Sequence, residues 1–195
     1  RRQRQMCIRD SSTLASSVTF PAGHILQVQS VAKTDTFSVS ITAGGVEDIT
    51  GMTVKLTPSS SSNKILILTM VNGASNFTSR QSGFAIRVLR NGANIALPTG
   101  YSNRPPSWFA MDIDASNNDT SNSSSFGMFT DAPATTSEVV YKLQFLNYTN
   151  ATTTYYLNQT SNTDDTPFRN RTISTMTIME TVSYTHLRAH ETTNY

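Results

Sequence analysis

Apolar and polar residues alternate with a period of two along several stretches of this chain, and this pattern favours strands. Residues 37–41, 52–56 and 139–145 place an apolar side chain at every second position, mostly with polar residues between them. Side chains of a strand point alternately to opposite faces, so each stretch predicts a strand with one buried face. No segment keeps a convincing helical period over three turns. The pattern therefore predicts a β-rich fold.

Other segments predict particular positions within such a fold. Residues 65–71 form a continuous apolar run, which is typical of a central strand covered on both faces. Asn91 and Gly92 lie between two apolar alternations, and this pair predicts a tight β-hairpin. Residues 25–31 and 173–178 contain further apolar alternations. These two segments are expected to be strands at the beginning and end of the domain.

Many short strands with polar turns are found in sandwiches, jelly rolls and barrels. The fold expected here is all-β: an antiparallel β-sandwich of jelly-roll-like topology, formed as a single domain by residues 12–181. The longest predicted loop runs from about Thr99 to Ser125. A loop of this length in a compact domain is usually functional or disordered.

The two ends of the chain are related through their coding DNA. Residues 6–10, Met-Cys-Ile-Arg-Asp, can be encoded as ATG TGT ATA AGA GAC. The reverse complement of that DNA translates as Val-Ser-Tyr-Thr-His, which is residues 182–186. Inverted terminal sequences of this kind, and the residues that flank them, resemble translated adapters of a transposase-based sequencing library. We therefore interpret residues 1–11 and 182–195 as adapter-derived and expect them to pack on nothing.

The end segments account for the basic character of the chain. The whole sequence has 15 Lys and Arg against 13 Asp and Glu, a net charge of +2. Five of the arginines lie in the ends with one aspartate and one glutamate, so the body has a net charge of −1. A basic surface would suggest nucleic-acid binding, but the body offers none. Its sequence predicts no nucleic-acid partner and, without a long apolar stretch, no membrane insertion. Cys7 also lies in the ends, so the body has no disulfide and no thiol nucleophile.

Several segments of the body resemble a family of phage structural proteins. The family is common in viruses of aquatic bacteria, and its members are called tail-fibre or receptor-binding modules. The resembling segments are residues 23–28, 33–37, 57–66, 87–95, 131–143 and 172–180. The resemblance implies a virion structural protein in an extracellular particle, with other copies of the chain as partners in a homotrimer. As a distal tail-fibre module, it would attach to a host surface through a bacterial surface glycan or protein.

Residues suited to catalysis or metal binding are sparse in the body. Asp112 and Asp114 begin an acidic, Asn-rich stretch that suggests a calcium loop, but Asn117 and Ser123 stand where that loop requires Gly and Glu. His24 is the only histidine of the body, so one chain cannot form a histidine metal cluster. We therefore expect no catalytic residues, no metal site and no cofactor, and we do not expect an enzyme.

The expected binding residues are Tyr101, Arg104 and Trp108 of the long loop. Binding residues concentrate on loops held by a rigid scaffold, and aromatic rings can stack on sugar faces. The sequence predicts that the loop from Tyr101 to Phe126 helps to form the recognition surface. The same aromatic residues would equally suit packing in the core or across a subunit boundary.

A second group of aromatic residues follows later in the chain. Tyr148, Tyr155 and Tyr156 flank an Asn/Thr-rich turn, and we expect them to contribute either to binding or to packing. Two functions remain open: an attachment module, or a non-catalytic capsid decoration or fibre-trimerisation domain.

Overall fold

The computed structural model describes residues 20–76, 83–99, 102–112, 122–167 and 169–183. These described residues form eleven strands, which are arranged in two antiparallel sheets. The strands are β1 (Ile25–Lys33), β2 (Phe37–Ile41), β3 (Val46–Leu56), β4 (Lys64–Ser75), β5 (Gly83–Arg90), β6 (Ala93–Ile95), β7 (Phe109–Asp112), β8 (Ser123–Asp131), β9 (Val139–Leu146), β10 (Thr153–Leu157) and β11 (Ser174–Thr181).

The six-stranded sheet is built around β4, the longest strand. One edge of β4 pairs with β8, from Ile65–Asp131 to Gly73–Ser123. The other edge pairs first with β11 and then, from Gly73 onward, with β10. Next, β1 pairs with β11 and β2 pairs with β10. A strand of twelve residues therefore organises one whole layer of the sandwich.

The five-stranded sheet is built around β5 and β9. One edge of β5 pairs with β9, which pairs in turn with β3. The other edge of β5 pairs with β7 and, further along, with β6. Apolar side chains of the two sheets meet between the layers, and the largest fully buried ones include Tyr141, Tyr155, Phe84 and Phe145. The predicted all-β, jelly-roll-like antiparallel sandwich is confirmed.

The strands predicted from alternation are present in their predicted places. Met52, Val54 and Leu56 all lie in the core, as the alternation in β3 requires. At the predicted hairpin, Asn91 and Gly92 have φ angles of 50° and 84°. Two consecutive positive φ values are typical of the type I′ turn, whose twist matches that of the flanking strands. The hairpin between β5 and β6 is therefore confirmed.

The prediction that residues 65–71 are covered on both faces is wrong. Ile65, Ile67 and Val71 are fully buried in the core, but Met70 on the opposite face is 39% exposed. No described element lies over that face, because β4 belongs to an outer layer of a two-layer sandwich. The outward residues of β1 are open as well, since Val28 is 50% exposed.

Two strands were missed by the sequence analysis. The sequence places Phe126 at the end of the long loop, but it lies within β8, and no strand is predicted at Tyr155, which flanks the turn and lies in β10 with no exposed surface. Both strands obscure the alternation: β8 has Phe126 and Met128 on one face and Phe129 on the other. Within the predicted long loop, β7 begins at Phe109, directly after Trp108.

A buried carboxylate anchors the connection between β3 and β4. Glu180 of β11 has no exposed surface, and four hydrogen bonds reach its side chain. Gln27 Nε2 donates at 2.6 Å, the backbone N–H and hydroxyl of Ser59 each at 2.7 Å, and Asn63 Nδ2 at 2.7 Å. Burial alone would raise the pKa of Glu180, but these donors outweigh it and hold the pKa below its usual value.

The expectation that residues 182–195 pack on nothing is wrong for Ser183, whose N–H donates to the Asn63 side chain at 3.4 Å, and for Val182. Its backbone N–H donates to the His24 carbonyl at 2.9 Å, and its carbonyl accepts from the Gly23 N–H at 2.9 Å. These bonds continue the pairing of β1 with β11, and because they are made by the backbone, any residue other than proline can supply both. His24 itself is exposed and stacks on Phe20. Residues 1–19 and 184–195 lie outside the described part of the chain.

Candidate functional site

The segment between β6 and β7 folds across the outer face of the five-stranded sheet. Arg87 on the outer face of β5 donates from Nε to the Pro106 carbonyl at 2.9 Å. The Trp108 N–H donates to the Ile86 carbonyl at 2.8 Å, which extends the pairing of β5 with β7. Two anchors on one strand therefore hold residues 106–108 in place, and a scaffold of this kind gives a loop a defined shape.

A shallow depression of about 180 Å³ lies beside this segment. Its lining includes Ala85 and Ala110, which are register partners on β5 and β7. Pro105, Ser107 and Tyr148 complete the lining. Two small side chains opposite each other leave the space that larger residues would fill. The depression, at about 180 Å³, is smaller than an enclosed small-molecule pocket of roughly 300 Å³ or more.

Trp108 is positioned by packing and does not line this depression. Its ring lies 5.3 Å from that of Phe109, and both rings pack against the core. A Cβ built on Gly127 of β8 would lie 2.9 Å from Cζ2 of Trp108 and 2.8 Å from Cε1 of Phe109. Glycine at this position therefore allows the two rings to approach the β8 backbone. The Trp108 ring therefore packs against β8 of the other sheet.

The other expected binding residues fall in different places. Arg104 is exposed and directly precedes Pro105 of the lining. Tyr101 lies outside the described residues. Tyr148 is half-buried, lines the depression, and makes a weak 3.5 Å hydrogen bond from its hydroxyl to the Met111 carbonyl. The structure thus brings Arg104 and Tyr148 to the same region, whereas Tyr155 is fully buried in the core.

Sequence reasoning missed the floor of the depression. Ala85 and Ala110 become neighbours only through the register of β5 with β7, and neither has a side chain that suggests a site. Ala85 is buried although it lies outside the main core cluster. An alanine at an outward strand position is the only signal that the sequence contains.

A second and more polar depression, about 50 Å³, lies in the segment between β10 and β11. It is lined by residues of the 159–171 region, which include Asp164, Asp165 and Arg171. The Asp164 N–H bonds to the Asn162 side chain, as in an Asx turn, and Arg171 donates to Gln159 at 2.9 Å. This space holds little more than water. It forms a polar turn region.

Acidic groups do not converge on a metal position in the described ranges. There, no three His, Cys, Asp or Glu side chains come together in a way that would hold a metal ion. Most of the acidic stretch after Asp112, residues 113–121, lies outside the described residues. The described residues likewise contain no helix that is long and apolar enough to cross a membrane.

Comparison with known proteins gives a distant structural likeness. No protein-family model and no curated protein matches the chain. A crystal structure of the infectious bursal disease virus VP2 subviral particle aligns with a TM-score of 0.37 and 10% identity, covering 90% of this chain and 41% of that chain. A structure of the Gx strain of the same virus aligns with a TM-score of 0.33 and 12% identity, covering 83% and 37%. This chain spans about two fifths of the length of those chains.

Proposed function

We propose that this β-sandwich is a structural protein of a phage particle and serves as a distal tail-fibre module that attaches to the host surface. The observation that supports it best is the open depression beside the anchored 106–108 segment. The resemblance of the body to tail-fibre modules supports it independently. Neither support depends on the distant likeness to the VP2 particles.

The composition of the depression fits a sugar better than a charged or strongly apolar ligand. Tyr148 and Pro105 offer flat apolar surfaces that can cover a sugar face, and Ser107 offers a hydroxyl. Arg104 next to Pro105 would interact with an acidic sugar or phosphate substituent. The proposed ligand is therefore a bacterial surface glycan, bound without chemical change, with Tyr101, Arg104 and Trp108 in or beside the recognition segment.

The test blocks the depression without removing a structural side chain. Ala110 is exposed on β7, so Ala110→Trp would fill the space above the floor. Ala93→Trp is the matched control, since Ala93 is exposed on β6 of the same sheet. We expect the full chain and the control to adsorb equally to immobilised bacterial surface polysaccharides, and Ala110→Trp and Arg104→Ala to adsorb at least about tenfold less tightly.

Equal adsorption of Ala110→Trp and Ala93→Trp would rule out the depression as the binding site. Binding of every variant to host cells after the polysaccharide has been removed would point instead to a protein receptor. We also propose a homotrimer located in the virion, and sedimentation of the full chain tests that assembly separately.

A second function is favoured by a specific observation. The outer face of the six-stranded sheet exposes Phe126 and Met128, each 64% accessible. An apolar face of this kind suits a capsid decoration or fibre-trimerisation domain, which acts through protein contacts alone. Antibody labelling of the phage particle, read by electron microscopy, separates a position at the fibre tip from a position on the capsid or within the fibre shaft.

A further inference from the structure

The outer face of the six-stranded sheet has a continuous apolar area. Cross-strand register places Met70 opposite Phe126 and Leu68 opposite Met128. In the row beyond Leu68 and Met128, Leu66 is opposite Met179, and Met179 is opposite Val28. Register partners share a face of the sheet, so these side chains are neighbours. We call this area the outer apolar face. It consists of Val28, Met179, Leu66, Leu68, Met70, Phe126 and Met128, and Met179 lies between Val28 and Leu66.

The area of this face is close to what the centre of a protein interface requires. Phe126 and Met128 are each 64% exposed, Val28 is 50% exposed and Met70 is 39% exposed. With the half-buried leucines, the face exposes apolar surface on the order of 400–500 Å². A stable interface buries about 800 Å² per partner, with an apolar centre and a polar rim. The outer apolar face would supply more than half of one such side.

Within the rows that hold the face the rim is uncharged, and the exposed Lys64 lies one row beyond them, opposite Thr181. The remaining positions of the same rows are occupied by Ser30, Ala32, Thr130, Thr175 and Thr177. None of these rows contains a charged side chain. Because a partner selected by charge would require a complementary charge here, the face favours a neutral partner. A second copy of the same surface meets that condition.

In the described part of the chain, the edge of the sheet beside this face is also unpaired. Among the described strands, β8 pairs only with β4, so its other edge is open. Natural edge strands are usually shielded by lysine, proline or short length. β8 has nine residues and contains neither lysine nor proline. The strand with the two most exposed apolar side chains is thus also the strand without edge protection.

We propose that the outer apolar face packs against a second copy of this chain, with Phe126 and Met128 at the centre of the contact. The contact is separate from glycan binding, since the depression lies on the outer face of the other sheet. It requires only that copies associate, either as a pair about a twofold axis or as three about a threefold axis.

The test introduces a charge at the centre of the face. Met128→Lys in the full chain would place an unpaired ammonium in an apolar contact, and Phe126→Ser would remove the largest exposed ring. Asn94→Lys is the matched control, because Asn94 is exposed on β6 of the other sheet and gains the same charge. We expect the full chain and the control to associate at micromolar concentration in analytical ultracentrifugation. We expect each variant on the face to associate about thirtyfold or more weakly, with an unchanged circular dichroism spectrum.

A second measurement needs no variant on the face. Hydrogen exchange of the unaltered full chain, compared at high and low concentration, should show concentration-dependent protection in β8. A dimer or a trimer with this protection supports the proposal, and a dimer would at the same time contradict the proposed homotrimer. A full chain that remains monomeric at micromolar concentration overturns the proposal that the outer apolar face packs against a second copy. So does association that persists unchanged in both Met128→Lys and Phe126→Ser, or protection confined to strands outside the six-stranded sheet.

Discussion

The Tyr141 hydroxyl donates a 2.7 Å hydrogen bond to Oδ2 of Asp131, and this contact joins the two sheets. Tyr141 lies on β9 and Asp131 ends β8 on the opposite layer. Arg90 of β5 donates to both oxygens of the same carboxylate at 2.8 Å. Burial, together with the hydrogen bond to Asp131, raises the pKa of the Tyr141 phenol. The carboxylate is thus held by two strands of the other sheet.

Replacing Tyr141 by phenylalanine should destabilise the protein by about 1.5–3 kcal/mol, because a hydrogen bond to a buried charge is lost while the carboxylate stays buried. Chemical denaturation measures the change. Tyr156→Phe is the matched control, since Tyr156 is only half-buried on β10, and it should change the free energy of unfolding by less than about 0.5 kcal/mol. Equal effects of the two substitutions would contradict a structural role for the Tyr141–Asp131 contact.

Glu180 predicts a specific loss of stability in acid. The pKa of Glu180 in the folded protein lies below the ordinary value of 4.5, so its carboxylate stabilises the folded state at pH values above 4.5. As the pH falls below about 4.5 and through the folded pKa, this contribution disappears. Glu180→Gln should lower the free energy of unfolding by about 1–3 kcal/mol at neutral pH, because the amide NH₂ cannot accept the hydrogen bonds that the carboxylate accepts.

The check for Glu180 is the unfolding free energy measured across the acid range. The variant should show a shallower decline than the unaltered protein below pH 4.5. Parallel curves would mean that Glu180 does not contribute to the acid dependence. Asp35→Asn serves as a control, because Asp35 is exposed while its pKa is also lowered, by its hydrogen bond with Lys33.

Gly127→Ala should disturb the packing of Trp108. The added methyl group would lie under 3.0 Å from both the Trp108 and the Phe109 ring, so the rings must move. We expect a loss of about 1–3 kcal/mol, typical of overpacking. Trp108 is the only tryptophan, so its fluorescence reports the displacement directly. Ser125→Ala on the same strand should leave both stability and emission nearly unchanged, and an unshifted emission in Gly127→Ala would contradict the predicted contact.

The two chain ends are predicted to contribute no stability, except for the residues that directly follow β11. Removing residues 1–11 and 184–195 together should change the free energy of unfolding by less than about 1 kcal/mol, as expected for adapter-derived segments. Removing Val182 and Ser183 as well should cost more, because the two backbone hydrogen bonds of Val182 with Gly23 and His24 and the bond from Ser183 to Asn63 are lost. Val182→Thr should behave like the untrimmed chain. A large loss in the shorter truncation would show that the ends are part of the domain.

Local patterns in the sequence determined the fold class and several element positions. Alternation at Met52, Val54 and Leu56 required one buried face, because a strand's side chains point alternately to its two sides. Asn91 and Gly92 specified a hairpin, because both tolerate the positive φ angles of a type I′ turn. These features depend only on neighbouring residues, so a single sequence was sufficient to predict them.

Tertiary structure alone decided which surfaces are covered and which residues meet. The apolar run of β4 predicts burial on both faces, yet Met70 is exposed, because coverage depends on whether another layer lies over the sheet. Ala85 and Ala110 face each other through strand register across a long connection, so no local pattern marks the depression. Trp108 is predicted from the sequence to be a binding residue, but its ring packs against Gly127 of a strand from the other sheet. Each of these outcomes depends on contacts between residues distant in the chain, and a local pattern contains no record of them.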